Sequence, residues 1–139
     1  MRTAPELSEV QAKSRLEGFK NQIEIKQLLS ENHLFLMTSS VDEFNRREAF
    51  GIVSLEAQSM GLPVVGFKSG GFPETLVEGK TGFTVEDNNC FEMSIIIQRL
   101  IEDSELLSKV GKMAIKNVKQ NFDLSYTNKL FINLYKSKF

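Results

Sequence analysis

Residues 47–65 read REAFGIVSLEAQSMGLPVV, and the rest of the chain is interpreted outward from this stretch. Two carboxylates, Glu48 and Glu56, bracket seven residues, and Glu56 is the only charged residue between positions 49 and 67. The spacing of apolar residues predicts a helix that begins near Phe50. Glu56 would then share a helix face with apolar neighbours, where an unpaired carboxylate is costly, so we expect it to have a polar partner.

No residue after Glu48 is a good helix N-cap, so the N–H groups around Phe50, Gly51 and Ile52 are predicted to be free. Free N–H groups at a helix start, with a glycine that permits close approach, form an anion site. The order carboxylate, anion site, carboxylate fits a nucleotide-diphosphate sugar, with Glu48 facing the sugar and Glu56 facing the ribose. A core helix with Glu56 bonded to backbone N–H groups and Glu48 in a solvated loop explains the spacing equally well.

Length and composition limit the class of protein. The 139 residues, 41% hydrophobic and 25% charged, are typical of one globular domain covering residues 1–139. No apolar run is long enough to span a bilayer, and no signal-peptide core is present, so a cytoplasmic protein is expected. One cysteine excludes an internal disulfide or a cysteine-cluster metal site, and one histidine argues against a multi-histidine site.

Charge is distributed unevenly along the chain. Residues 1–104 contain ten Lys or Arg and sixteen Asp or Glu, whereas residues 105–139 contain seven Lys and two acidic residues. The basic end could favour an anionic membrane surface. Its lysines are spread along predicted helices, which favours a solvated face, and nothing in the pattern predicts nucleic-acid binding.

Predicted strands alternate with predicted helices through most of the chain. Strands are predicted at 14–19, 33–37, 64–67 and 81–85, and helices after Asn21, at 72–76, near 90, from 104, and at 124–138. This alternation predicts an α/β fold, a Rossmann-like parallel sheet with helices on both faces and a C-terminal helical segment. In the last helix, the side chains expected to point inward are Leu130, Phe131, Leu134 and Tyr135.

Two loops reach the C-terminal ends of predicted strands, where ligands bind in open α/β sheets. Gly70 and Gly71 follow the strand at 64–67 and would allow a backbone to approach a ligand, although a plain tight turn explains them as well. The loop before Glu48 contains Arg46 and Arg47, which are expected to be solvated.

The remaining candidate residues are weaker. His33 is expected to be structural, and Cys90 is expected to be a small buried residue rather than a reactive thiol. Asp42 and Glu43 could form a metal cluster with Glu48, but an exposed acidic loop explains them. No metal site is predicted.

Four motifs in sequence order resemble the C-terminal half of a known enzyme family. They are E-x7-E at 48–56, GLPVV at 61–65, GGxPE at 70–74 and EGKTGF at 78–83. Together they resemble the retaining glycosyltransferases of family 4, also called group 1 glycosyltransferases, which have the GT-B fold. The resemblance covers roughly residues 14 to 139.

The resemblance implies a function and a set of site residues. In that family two Rossmann-like domains face each other across a cleft, and the C-terminal domain binds a nucleotide-diphosphate sugar for transfer to a glycan, lipid or small acceptor. No metal or other cofactor is implied. Glu48 is the implied catalytic residue, and the implied donor-binding residues are Glu48, Phe50, Gly51, Ile52, Glu56, Gly70 and Gly71.

The chain also departs from the family pattern. It lacks the N-terminal acceptor domain and the opening strands with the Arg and Lys that grip the diphosphate, and Ala49 stands where glycine is common. We therefore expect a fragment with little activity alone, whose parent could make peripheral membrane contact. The alternatives are a nucleotide-sugar 2-epimerase, a non-catalytic subunit that completes its cleft with a partner chain, and a membrane-docking module.

Overall fold

The structure, a computed structural model, describes residues 17–41, 43–46 and 49–138. Helices and strands alternate through the first part of the described chain, and helices alone form the last part. In chain order the elements are α1 (Gln22–Glu31), β1 (Phe35–Met37), α2 (Ile52–Ser59), β2 (Val64–Phe67), a 3₁₀ helix (Phe72–Thr75), β3 (Gly82–Val85), α3 (Cys90–Glu102), α4 (Ser104–Asn121) and α5 (Leu124–Lys138).

The three described strands form one parallel sheet in the order β1-β2-β3. All four residues of β2 are buried, as expected for a strand covered on both faces. The strand predicted at 33–37 begins only at Phe35, and Leu36 is 43% exposed, because α3 packs on β2 and β3 instead. In the strand predicted at 14–19, residues 17–19 are not a strand, and 14–16 lie outside the described residues.

Two apolar cores lie on opposite faces of the sheet, because successive side chains of a strand point to opposite sides. Val64 contributes to the core under α1 and α2, together with Leu29, Met37, Ala57, Leu62 and Phe72. Val65 contributes to the core under α3, together with Phe67, Val85, Met93 and Leu100. The predicted α/β architecture with helices on both faces is therefore confirmed.

Local signals fix the ends of the first two helices. Asn21 caps α1 in a complete capping box, as predicted. α2 ends in a Schellman motif, in which the Leu62 N–H donates to the carbonyl of Ala57 at 3.1 Å and the Gly61 N–H donates to that of Gln58 at 3.0 Å. Gly61 has φ +80, which glycine adopts without strain, so the predicted helix stop is confirmed.

The last helix differs from the prediction. α5 forms at 124–138 as expected, but its apolar side chains do not point into a core. The exposed fractions are 47% for Leu130, 70% for Phe131, 60% for Leu134 and 73% for Tyr135. The prediction of an inward face is wrong for the described chain, because α5 contacts chiefly α4 and no described element covers its apolar side.

Candidate functional site

Two loops that leave the C-terminal ends of β1 and β2 meet at one edge of the sheet. A methyl group added to Gly71 would lie 2.5 Å from the carbonyl oxygen of Ala49, so the Gly70–Gly71 turn packs directly on the segment that enters α2. Phe72 is fully buried, and its Cβ would lie 3.5 Å from a Cβ added to Gly51. The absence of a side chain at Gly71 is therefore explained by this packing, and a ligand-binding role for it stays a prediction.

The N-terminus of α2 lies at this edge. α2 begins at Ile52, two residues later than predicted, because Gly51 takes a left-handed conformation with φ +78 and serves as the N-cap. No side chain caps the helix, and within the described chain the N–H groups of Ile52 and Val53 have no acceptor. Uncapped N–H groups at the positive end of a helix are suited to bind an anion.

Phe50 lies two residues before the first residue of α2, so the predicted start near Phe50 is confirmed to within two residues. Its ring is half-buried and packs at a tilt against Phe122, with 6.2 Å between ring centroids. This contact ties the entry of α2 to the end of α4. Ligand contact by the backbone of Phe50 stays a prediction.

Glu56 lies one turn into α2 and lines a groove of about 600 Å³ between α1 and α2. Ile52 and Val53 on the same face are 65% and 42% exposed, so the face that was expected to be apolar and buried is open. Within the described chain the half-buried Glu56 carboxylate has no hydrogen-bond or ion-pair partner. The bonding of Glu56 to backbone N–H groups that an ordinary core helix would require is thus not found among these residues.

Other predicted site residues fall into two groups. Glu48, Asp42 and Arg47 lie outside the described residues, so their roles stay predictions. Gly70 is exposed and left-handed, with φ +53, at the tip of the turn beside the α2 start. Arg46 is exposed as predicted, with its guanidinium 5.2 Å from the centroid of the Phe44 ring.

Lys68 is the first residue after β2. Its ammonium lies 2.7 Å from the Glu86 carboxylate, and this hydrogen bond and charge raise the pKa of Lys68. Both side chains are exposed, so the ion pair adds little stability. Lys68 is therefore already paired before any ligand binds.

The weaker candidates give mixed outcomes. Cys90 is exposed, so the prediction of a buried residue is wrong: it is the first residue of α3 and faces solvent. His33 is also exposed and precedes β1. Among the described residues no group of three His, Cys, Asp or Glu side chains could hold a metal. None of the described helices combines the length and hydrophobicity needed to cross a bilayer.

Sequence reasoning missed a group of buried polar side chains behind the edge. Ser54, Gln58 and Thr75 have no exposed surface, and Asn117 is 6% exposed. They hydrogen-bond one another across α2, the 3₁₀ helix and α4. The only sequence signal was a pair of polar residues four apart, Ser54 and Gln58, within α2.

Comparison with known proteins gives the family. The model for glycosyl transferases group 1 matches residues 6–117. N-acetyl-alpha-D-glucosaminyl L-malate synthase of Bacillus anthracis is 32% identical over 73% of this chain and 25% of its own length. The putative colanic acid biosynthesis glycosyltransferase WcaL of Salmonella typhimurium is 28% identical over 96% of this chain and 33% of its own length.

A solved structure adds the fold. Anabaena HepE in complex with UDP and glucose superimposes with a TM-score of 0.77 at 29% identity, covering 91% of this chain and 33% of HepE. HepE in complex with UDP-glucose superimposes with a TM-score of 0.72. The predicted Rossmann-like fold of a partial GT-B domain is thereby confirmed, and this chain spans about a quarter to a third of these relatives. Since the family model covers most of its length, the chain belongs to the group 1 glycosyltransferases.

Proposed function

We propose that this chain is the donor-binding part of a retaining glycosyltransferase that moves a sugar from a nucleotide diphosphate to a glycan, lipid or small acceptor. The observation that carries the proposal is the N-terminus of α2, which no described side chain caps, with Glu56 one turn further along, facing an open groove and without a partner among the described residues. The similarity to HepE, which was crystallised with UDP and glucose, supports a nucleotide-sugar donor.

The diphosphate would accept hydrogen bonds from the N–H groups of Ile52 and Val53. Glu56 lies four residues after Ile52, a rise of about 6 Å along the helix. This is the scale of the separation between a nucleotide's phosphate and its ribose hydroxyls, which Glu56 would bind. Glu48 would contact the donor sugar on the other side of the helix start, and the exposed left-handed turn at Gly70 would border the same site.

Sugar transfer from the donor requires the site to stabilise a leaving group. The bond between the anomeric carbon and the diphosphate oxygen breaks, and negative charge grows on the diphosphate. The positive end of α2 would offset that charge, as oriented N–H dipoles do at other sites of developing anions. Following the family resemblance, we propose that no metal or other cofactor is required and that the product retains the anomeric configuration.

The acceptor would be bound outside this chain. Residues 1–139 would form a single donor domain that faces an acceptor-binding domain across a cleft. The chain alone would then bind a donor yet transfer little. Transfer would take place on the cytoplasmic side, with peripheral membrane contact where the acceptor is a lipid.

Calorimetric titration of the chain with UDP and UDP-glucose tests donor binding. Glu56→Gln keeps the shape of the side chain but removes its charge, and we expect donor affinity to fall about 10- to 100-fold, the loss of a charged hydrogen bond. Glu105→Gln, in the first turn of α4, is the matched control and should bind as the wild type does. EDTA should leave the affinity unchanged.

Three results would contradict the proposal. The wild-type chain could fail to bind any member of a panel of nucleotide sugars. Glu56→Gln could bind as tightly as Glu105→Gln, which would remove Glu56 from the site. EDTA could abolish binding, which would show that a metal participates.

A further inference from the structure

The buried polar network, defined as Ser54, Gln58, Thr75 and Asn117, joins three segments directly behind the α2 start. Ser54 is in the first turn of α2, Thr75 ends the 3₁₀ helix, and Asn117 lies in α4. Burying four polar side chains is costly unless each forms hydrogen bonds, and apolar residues would fill the same space without that cost. The network therefore calls for an explanation beyond packing.

The direction of the hydroxyl bonds can be worked out. The Thr75 hydroxyl donates to the carbonyl oxygen of Phe72 at 2.7 Å, so its oxygen accepts from the Ser54 hydroxyl at 3.0 Å. Ser54 Oγ in turn accepts from Nε2 of Gln58 at 3.1 Å. The bonds run one way from α2 into the start of the 3₁₀ helix, an arrangement in which each bond polarises the next.

Asn117 closes the network from α4. Its Nδ2 donates to Oε1 of Gln58 at 3.0 Å and to the Thr75 carbonyl at 3.1 Å. Nε2 of Gln58 donates to that same carbonyl at 2.9 Å. Both polar ends of the Gln58 amide are therefore used, and the side chain is held in one orientation.

The position of the network shows what it can control. The Ser54 N–H donates to the Gly51 carbonyl at 2.9 Å, so Ser54 belongs to the same turn as Ile52 and Val53, whose N–H groups have no acceptor among the residues that the structure describes. Thr75 and Phe72 belong to the segment that follows the Gly70–Gly71 turn. Apolar contacts alone would let the two segments rotate against each other, whereas directional hydrogen bonds fix the rotation of the first turn of α2.

We propose that Ser54, Gln58, Thr75 and Asn117 are positioning residues, which aim the N–H groups of the α2 start at the diphosphate. The inference rests on the proposed function, because it needs an anion at that helix start. Small misplacements of groups that stabilise a leaving charge lower the rate strongly, by as much as about 100-fold for a shift of about 1 Å. The network should therefore act on turnover more than on donor binding.

The test uses the full natural protein and the variant Thr75→Val, which has nearly the shape of threonine but neither donates nor accepts. We expect kcat to fall about 10- to 100-fold, while the donor KM changes less than about 3-fold. Thr75→Ser keeps the hydroxyl and should stay within about 3-fold of the wild-type kcat. In NMR spectra, the shifts that UDP causes at the Ile52 and Val53 amides should differ between wild type and Thr75→Val.

Thr81→Val is the matched control. Thr81 is also a buried threonine, 2% exposed, and its hydroxyl accepts from the Val77 N–H at 2.8 Å without bonding to α2. The Thr81→Val variant should lose stability as Thr75→Val does, but its kcat should equal that of the wild type. If Thr75→Val does not fold, Ser54→Ala breaks the same hydroxyl chain and leaves the Gln58 bond to the Thr75 carbonyl in place.

The outcomes separate the two proposals. A wild-type protein that transfers sugar, together with equal kcat and KM in Thr75→Val (or Ser54→Ala) and Thr81→Val, overturns the positioning role only. Equal loss of kcat in Thr75→Ser and Thr75→Val also overturns it, because the hydroxyl would then be irrelevant. A wild-type protein with no nucleotide-sugar binding overturns the proposed function and this inference with it.

Discussion

Phe72, at the start of the 3₁₀ helix, and Phe131, within α5, are both phenylalanines, but they differ in their exposure to solvent. Phe72 has no exposed surface and lies against Gly51 and Gly66 in the core that also contains Met37. Phe131 is 70% exposed on α5. Hydrophobic periodicity therefore predicts which face of a helix is apolar, but it does not predict which element packs against that face. In this fold, glycines that leave no room for a Cβ lie where two segments pack closely.

The largest effect is expected from a substitution in the buried core around Phe72. Phe72→Ala removes a fully buried ring, and we expect it to lower the free energy of unfolding by about 3–5 kcal/mol, measured by urea denaturation. Phe131→Ala is its matched counterpart and should change the free energy of unfolding by less than about 0.5 kcal/mol. Comparable losses in both variants would mean that the apolar face of α5 is covered in solution.

The smallest expected effect concerns the start of α5. The Ser125 hydroxyl and N–H both donate to the Asp123 carboxylate, and these bonds hold the pKa of Asp123 below its ordinary value. A lowered folded-state pKa means that this stabilisation is complete above the unfolded pKa and is lost as pH falls through the folded one. We therefore expect the first turn of α5 to loosen only at acidic pH.

Backbone chemical shifts of that turn, followed from about pH 6 to about pH 2, measure the change. Asp123→Asn keeps an acceptor but cannot titrate, so it should remove the pH dependence. A wild-type profile identical to that of Asp123→Asn would show that Asp123 does not control the helix start.

Local signals were sufficient to predict much of the fold. The capping box at Asn21 and the stop at Gly61 depend on neighbouring residues alone, so the sequence predicted both. The all-apolar run of β2 likewise predicted a buried parallel strand. The spacing of apolar residues predicted the α2 start to within two residues.

Long-range contacts account for what the sequence could not predict. Gly51, the left-handed N-cap of α2, contacts Phe72, which lies twenty-one positions away, and helix propensity does not register such a contact. Ser54 and Gln58 look like ordinary polar residues on a helix, because their partners Thr75 and Asn117 are far along the chain. Whether the apolar face of α5 is exposed depends on which element packs against it, and the periodicity of α5 alone does not predict that element.

The most direct test is a structure of the protein with UDP-glucose bound. The proposed function predicts diphosphate oxygens within about 3.2 Å of the Ile52 and Val53 nitrogens and ribose hydroxyls hydrogen-bonded to the Glu56 carboxylate. It is contradicted if the nucleotide binds away from the α2 start. It is equally contradicted if a side chain of the protein itself occupies those N–H groups while the donor is bound.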